Sequence, residues 1–262
     1  MVARRRFGQH FLEPAWVTKV VKAIDPSPND DFIEIGPGRA ALTTPLVATA
    51  RHVTAFEIDR DLAAALRPTA PENLTVVGGD FLESDWLERH PPSGPVRVVG
   101  NLPYNVASPI LFRLIELFDD GLPIADATLM LQLEVVERLL AAPSTKEYGV
   151  LTVLVRLSAD VEDLLTLPAG AFRPMPKVRS GLVRLHFHPP DPSPANRDEF
   201  ARMVTAVFSR RRKTIENALQ AFRPGSRRDV TAVLDAARIA PHRRPETLDL
   251  AEFVRLSDAL SV

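Results

Sequence analysis

The chain has 262 residues, enough for one sizeable core and a small second domain. Apolar residues make up 45% and charged residues 25%, the balance of an ordinary globular protein, and the absence of cysteine excludes disulfides and thiolate metal sites. No apolar run reaches membrane-span length, and the start MVARRRFGQHFL lacks the apolar centre of a signal peptide. A cytoplasmic protein, with no membrane and no metal, is expected. The net charge of −1 and pI near 6.6 give no global sign of a polyanionic partner, so any such sign must be local.

Up to residue 189, short apolar runs alternate with helical segments, the pattern of an α/β fold with a mostly parallel sheet. Strands are expected at Phe32–Ile35, Val53–Ile58, Leu74–Val77, Val96–Val99 and Ala127–Leu133. Helices are expected at Ala40–Thr49, Arg60–Leu66, Asp85–Arg89, Pro109–Phe118 and Glu134–Leu140. Ser108 reads as the N-cap of the helix that follows Val99, with Pro109 in its first position. The apolar stretches Gly149–Ser158 and Gly181–Phe187 read as the last paired strands of the sheet.

The proline-rich stretch His188–Pro194 then marks a boundary, dividing residues 1–189 from residues 190–262. Beyond it all periodic segments are helical: Arg197–Phe208, Thr214–Phe222, Arg227–Ala237 and Leu250–Leu260. Charge divides similarly, with 19 basic and 23 acidic residues up to 189, and 13 and 10 beyond. Arg4-Arg5-Arg6, Arg210-Arg211-Arg212-Lys213, Arg227-Arg228 and Arg243-Arg244 cluster the positive charge. A single such run is usually a solvated surface; several together point to a phosphate-binding face.

The first strand runs into Glu34-Ile35-Gly36-Pro37-Gly38-Arg39-Ala40. The glycines let the backbone turn off the strand and approach a ligand. The spacing also fits a dinucleotide fingerprint, with Glu57 placed for ribose hydroxyls, so a nicotinamide enzyme must be weighed. Glu34 argues against it, because negative charge there opposes a pyrophosphate and tolerates the cationic sulfonium of S-adenosylmethionine. Asp80 ends the third strand, where its carboxylate can accept the adenine amine of that cofactor; its bland alternative is a turn aspartate. Asp59 alone reads as a helix cap.

The fourth strand ends in Asn101-Leu102-Pro103-Tyr104. An adenine amine is a poor nucleophile because its lone pair is delocalised into the ring. Two acceptors, the Asn101 side-chain oxygen and the Leu102 carbonyl, would take its hydrogens and localise that pair. Tyr104 offers a face for base stacking and Pro103 stiffens the turn. No general base is required, since the proton can leave after transfer.

These segments, with Phe7–Leu12, Phe56–Arg60, Gly79-Asp80, Gly100–Ser108, Met130–Gln132, Tyr148-Gly149, Phe172–Val178 and Arg211–Thr214, resemble the ribosomal RNA adenine dimethyltransferases of the KsgA type. The resemblance spans nearly the whole chain, and its specificity lies in the order and spacing of the motifs. It implies a Rossmann-like class I S-adenosylmethionine-dependent methyltransferase sheet with a small all-helical C-terminal domain. His10, Leu12, Gly36, Glu57, Asp80 and Asn101 would line the cofactor site. Asn101, Leu102, Pro103 and Tyr104 would hold the target base, with Phe172 stacked on its other face. Arg210, Arg211, Arg212 and Lys213 would bind RNA.

The implied activity is dimethylation of two adjacent adenosines in a hairpin loop near the 3′ end of 16S ribosomal RNA, within the immature small subunit, by a monomer. Leu133, Arg179 and Glu216 depart from the family pattern at a usual lysine, a small polar or acidic residue and an arginine. Three alternatives stand beside this reading. They are a 23S RNA methyltransferase of the macrolide-resistance type, a non-catalytic ribosome-assembly factor, and, more distantly, the nicotinamide enzyme.

Overall fold

The computed structural model describes residues 10–222 and 227–261, without the side chains of Arg227 and Arg228. The Arg4–Arg6 run and the Phe7–Gln9 part of the first motif lie outside the described residues. No described helix is long and apolar enough to cross a membrane.

The chain divides into two compact units. One holds the chain up to Val136 together with Asp160–Phe187; the other holds Glu137–Ala159 and the chain from His188 onward. The sequence reading placed a single boundary at 189; the chain passes between the units after Val136, Ala159 and Phe187, and residues 137–159 belong with the helical unit. The reason is packing: Ala141, Tyr148, Val153 and Leu157 share a buried cluster with Phe200, Val204, Ile215 and Phe253.

The first unit is built on a seven-stranded sheet with the order β4-β3-β2-β5-β6-β9-β7. Its strands are β2 (Asp31–Ile35), β3 (His52–Glu57), β4 (Leu74–Gly78), β5 (Val96–Asn101), β6 (Ile124–Gln132), β7 (Ala159–Leu167) and β9 (Ser180–Phe187). The five strands from β4 to β6 pair in parallel, and β9 pairs antiparallel to β6. A separate pair joins β1 (Phe11–Leu12) to β8 (Phe172–Arg173), with Leu12 opposite Phe172.

The helices of this unit are α1 (Pro14–Ile24), α2 (Thr43–Val47), α3 (Arg60–Leu66), α4 (Trp86–Arg89) and α5 (Ala107–Asp119). Asp59 caps α3, its carboxylate accepting the N–H groups of Asp61 and Leu62. The free carbonyls ending α1 are met by guanidinium groups. Arg97 Nη2 donates to Ile24 O at 2.8 Å and Arg184 Nη2 to Ala23 O at 2.7 Å.

Two expectations fail here. Residues 150–156 form helix α7, not a strand, and the strand next to β9 is β7, which follows it. A short run of Val and Leu does not discriminate helix from buried strand. Thr152 decides locally, its hydroxyl accepting the Gly149 N–H and donating to Arg138 O. Strand β7 carries Asp160, Glu162 and Asp163 because it lies at the end of the sheet order, where charged residues suit an edge. The second correction is at α5, which begins at Ala107 after Val106, not at a Ser108 cap. Pro109 is then its third residue, still among the N–H positions that lack a helical partner.

The helical unit contains α8 (Arg197–Ser209), α9 (Ile215–Phe222), α10 (Arg227–Ala236) and α11 (Leu250–Leu260), with helix α6 (Leu133–Leu140) running into it. Asn196 caps α8, and Asp249 with Glu252 forms a capping box on α11. Tyr148 is structural here, donating its hydroxyl hydrogen to Leu248 O at 2.8 Å; burial drives its pKa well up.

Candidate active site

The strand order reverses between β2 and β5, so the carboxyl ends of adjacent parallel strands diverge there and leave a crevice. A cavity of about 200 Å³ lies at those ends. Its lining includes His10, Leu12, Gly36, Glu57 and Asp80 together with Asn101, Leu102, Pro103 and Tyr104. Nine of the expected residues, scattered over more than 90 positions of sequence, thus meet in one place.

The turn after β2 is held open by glycine. Gly36 and Gly38 have φ of +72° and +57°, in the left-handed region that side chains disfavour. A Cβ on Gly38 would also lie 3.2 Å from the Phe11 ring. Gly36 N–H donates to Phe56 O, and Gly38 N–H donates to Glu57 Oε2 at 2.9 Å. Glu57 Oε1 accepts the Asp59 N–H at 2.9 Å, which fixes the carboxylate at the tip of β3. Burial raises the Glu57 pKa, and the Asp59 and Gly38 N–H groups oppose that rise.

Glu34, which also lines the cavity, is 2% exposed, and its Oε2 has no hydrogen-bond partner. Burial pushes its pKa up to about 7; hydrogen bonding by Thr43 pulls the other way and the nearby Glu57 adds to the rise. An unpartnered carboxylate oxygen at a cavity wall suits a cationic ligand, whose charge would offset its desolvation. Asp80 performs the turn role with one oxygen, Oδ1 accepting the Leu82 N–H at 3.0 Å. Its other oxygen takes no bond among the described residues.

At the end of β5, the Asn101 side chain is oriented by the backbone. Its Nδ2 donates to the carbonyl of His10 at 2.8 Å. Only the amide nitrogen can face a carbonyl, so Oδ1 is left as the free end. Leu102 donates its N–H to Met130 O, and its own carbonyl accepts no bond among the described residues. Two acceptors are therefore available at neighbouring positions. The Tyr104 hydroxyl lies 3.2 Å from Ser180 Oγ, and its ring stacks on that of His10 with centroids 5.5 Å apart and 28° between planes.

Phe172 is a correction. Its ring is 1% exposed, does not line the cavity and belongs to the core cluster with Leu12, Ala171 and Leu182. It cannot cover a base without leaving that core. What it does is anchor β1, the strand that brings His10 and Leu12 to the cavity. The His10–Tyr104 stack and the Ser180 contact were not legible in sequence, because they depend on this pairing of segments some 160 residues apart.

The basic cluster of the helical unit is divided. Arg210, Arg212 and Lys213 are exposed. Arg211 instead pairs with Glu246 at 2.8 Å and donates to Lys146 O at 2.9 Å, an internal tie. Arg243 is likewise committed, paired with Glu252. The exposed Arg244 remains on the surface.

The family described as "Ribosomal RNA adenine dimethylase" matches residues 2–256. The "Ribosomal RNA small subunit methyltransferase A" of Acinetobacter baylyi is 44% identical over 98% of this chain and 92% of its own. That of Nitrosococcus oceani is 43% identical over 97% and 95%. Among solved structures, a dimethyladenosine transferase from Plasmodium falciparum is 25% identical with a TM-score of 0.77, covering 94% of this chain and 96% of its own. The 23S rRNA methyltransferase ErmE is 29% identical with a TM-score of 0.68, covering 96% and 100%. The chain belongs to the ribosomal RNA adenine dimethylase family and is an S-adenosylmethionine-dependent enzyme that methylates adenine in ribosomal RNA.

Proposed function

We propose that the protein dimethylates the N6 amines of two adjacent adenosines in a hairpin loop near the 3′ end of 16S ribosomal RNA. Its substrate is the immature small ribosomal subunit, met in the cytoplasm by a monomeric enzyme. The observation that carries the chemistry is the hydrogen bond from Asn101 Nδ2 to the His10 carbonyl, which leaves Oδ1 free as an acceptor at the cavity that Leu102 also lines. The choice of the small subunit rests on the names of the relatives.

The residues present fit the methyl donor: an unpartnered Glu34 oxygen for positive charge, the Glu57 tip for ribose hydroxyls, and the free Asp80 oxygen for an adenine amine. S-adenosylmethionine supplies, when bound, an electrophilic methyl group on a cationic sulfur. The chain's part is to present the nucleophile. Asn101 Oδ1 and the Leu102 carbonyl accept the two N–H hydrogens of the target amine, drawing its nitrogen out of conjugation. The same oxygens stabilise positive charge as it develops there. Tyr104 holds the base by its face, and its tie to Ser180 fixes the ring. The surplus proton passes to solvent afterwards, so no strong base is needed. In the helical unit, Arg210, Arg212 and Lys213 contact RNA phosphates.

A second reading, methylation of 23S RNA, is favoured by the full-length likeness to ErmE. Methyl transfer assayed on undimethylated small subunits and on protein-free 23S RNA separates the two. Activity on the former supports the proposal; activity confined to the latter replaces it.

A further inference from the structure

Three large hydrophobic side chains are notably exposed among the described residues: Ile58, Met175 and Val178, at 42%, 62% and 45%. Two of them share one short segment, residues 174–179, between β8 and β9. Lys177 and Arg179 in that segment are also exposed, and neither side chain has a partner among the described residues. The protein's own core gives these exposed apolar side chains no packing rationale. They have one against a stack of bases threaded by phosphates.

The segment is tied to the active site at both ends. Pro174 O accepts a hydrogen bond from His10 Nδ1 at 2.7 Å, and Ser180 Oγ meets the Tyr104 hydroxyl at 3.2 Å. His10 and Tyr104 stack on each other and both line the cavity. Between the ties, Pro174 and Pro176 fix two backbone φ angles, and Pro176 is buried while its neighbours are not. Met175 and Val178 are thus held out to solvent on a stiffened support whose two ends contact residues that line the cavity.

Resting on the function proposed above, we infer that residues 174–179 are the element that extrudes the target adenosine from its RNA. A base stacked in a hairpin cannot reach Asn101, and taking it out leaves an apolar gap between its neighbours. Met175 and Val178 fill that gap, as apolar wedges do where nucleic acid is unstacked. Lys177 and Arg179 hold the flanking phosphates and set the depth of insertion. The occupant is RNA and not an apolar protein partner, because the two cations have no other task.

The test uses the full-length protein and two substrates: undimethylated small subunits, and the same particles with a mismatch that opens the hairpin beside the target. Met175→Ser with Val178→Ser is expected to lower kcat/KM about tenfold or more on the first, because unstacking is no longer compensated. The loss shrinks to about threefold or less on the second, where the base is already loose. Affinity for S-adenosylmethionine stays as in the unaltered protein, which also verifies folding. Lys177→Ala with Arg179→Ala should lower the salt dependence of particle binding by about two phosphate contacts. Equal losses of the double serine variant on both particles, or no loss on either, would overturn the wedge while leaving the enzyme's function standing. No transfer by the unaltered protein to either particle would sink the functional reading and the wedge with it.

Discussion

The backbone carbonyl of His10 and the side-chain amide of Asn101 are joined by a 2.8 Å hydrogen bond across 91 residues of sequence. This bond makes the identity of residue 101 a question of geometry as well as of charge. Asparagine supplies a donor for the His10 carbonyl and an acceptor for the target amine; aspartate supplies acceptors only.

Asn101→Ala should therefore lower kcat by about 100-fold or more, the scale seen when one stabilising polar group is removed from a transition state. Asn101→Asp, despite its similar shape, should also weaken binding of S-adenosylmethionine, since a carboxylate facing the His10 carbonyl pushes β1 away. Isothermal titration checks the binding and single-turnover methylation the rate. An aspartate variant with unchanged affinity and turnover would show the His10 bond to be incidental.

Glu34 gives a prediction in pH. Its folded pKa of about 7 exceeds the ordinary value of 4.5, so folding favours the protonated form. The stability it confers is fully present below about pH 4.5 and is lost as pH rises through 7, on the order of 3 kcal/mol in all. Denaturant unfolding without ligand should show this decline, and Glu34→Gln should flatten it. A cationic cofactor favours the ionised form, so its affinity should rise between about pH 6 and pH 8 in the native protein and not in the glutamine variant.

Phe172 separates a core role from a stacking role. Phe172→Ala should cost about 3–5 kcal/mol of stability, the usual range for a buried phenylalanine. Phe172→Leu keeps most of the packing, should lose less than about 1.5 kcal/mol, and should retain turnover within about threefold. A leucine variant that folds normally but does not transfer methyl groups would restore the ring to the target base.

The basic run after α8 should divide as its contacts do. Neutralising Arg210, Arg212 and Lys213 together should weaken RNA binding and reduce its log–log salt slope by up to about 2.7. Arg211→Ala should instead lower the melting temperature, because it removes the ties to Glu246 and Lys146. A salt slope unchanged in the triple variant would make those cations ordinary surface.

Sequence alone determined the parallel strands β2 to β6 and the chemistry at their tips. Alternating apolar runs separated by glycine turns admit few arrangements; Glu57 and Asn101 are the last residues of their strands, and Asp80 lies two residues beyond β4. Local order therefore carried them to the crevice. The tertiary structure decided whatever depends on segments remote in the chain. It withdrew Phe172 from the site by pairing β8 with β1, and it made a helix of residues 150–156 by giving Val153 and Leu157 a core in the helical unit. It also left Met175 and Val178 outside every core. An apolar residue in a sequence declares only that it avoids water; which surface relieves it is settled by the fold, or by a partner.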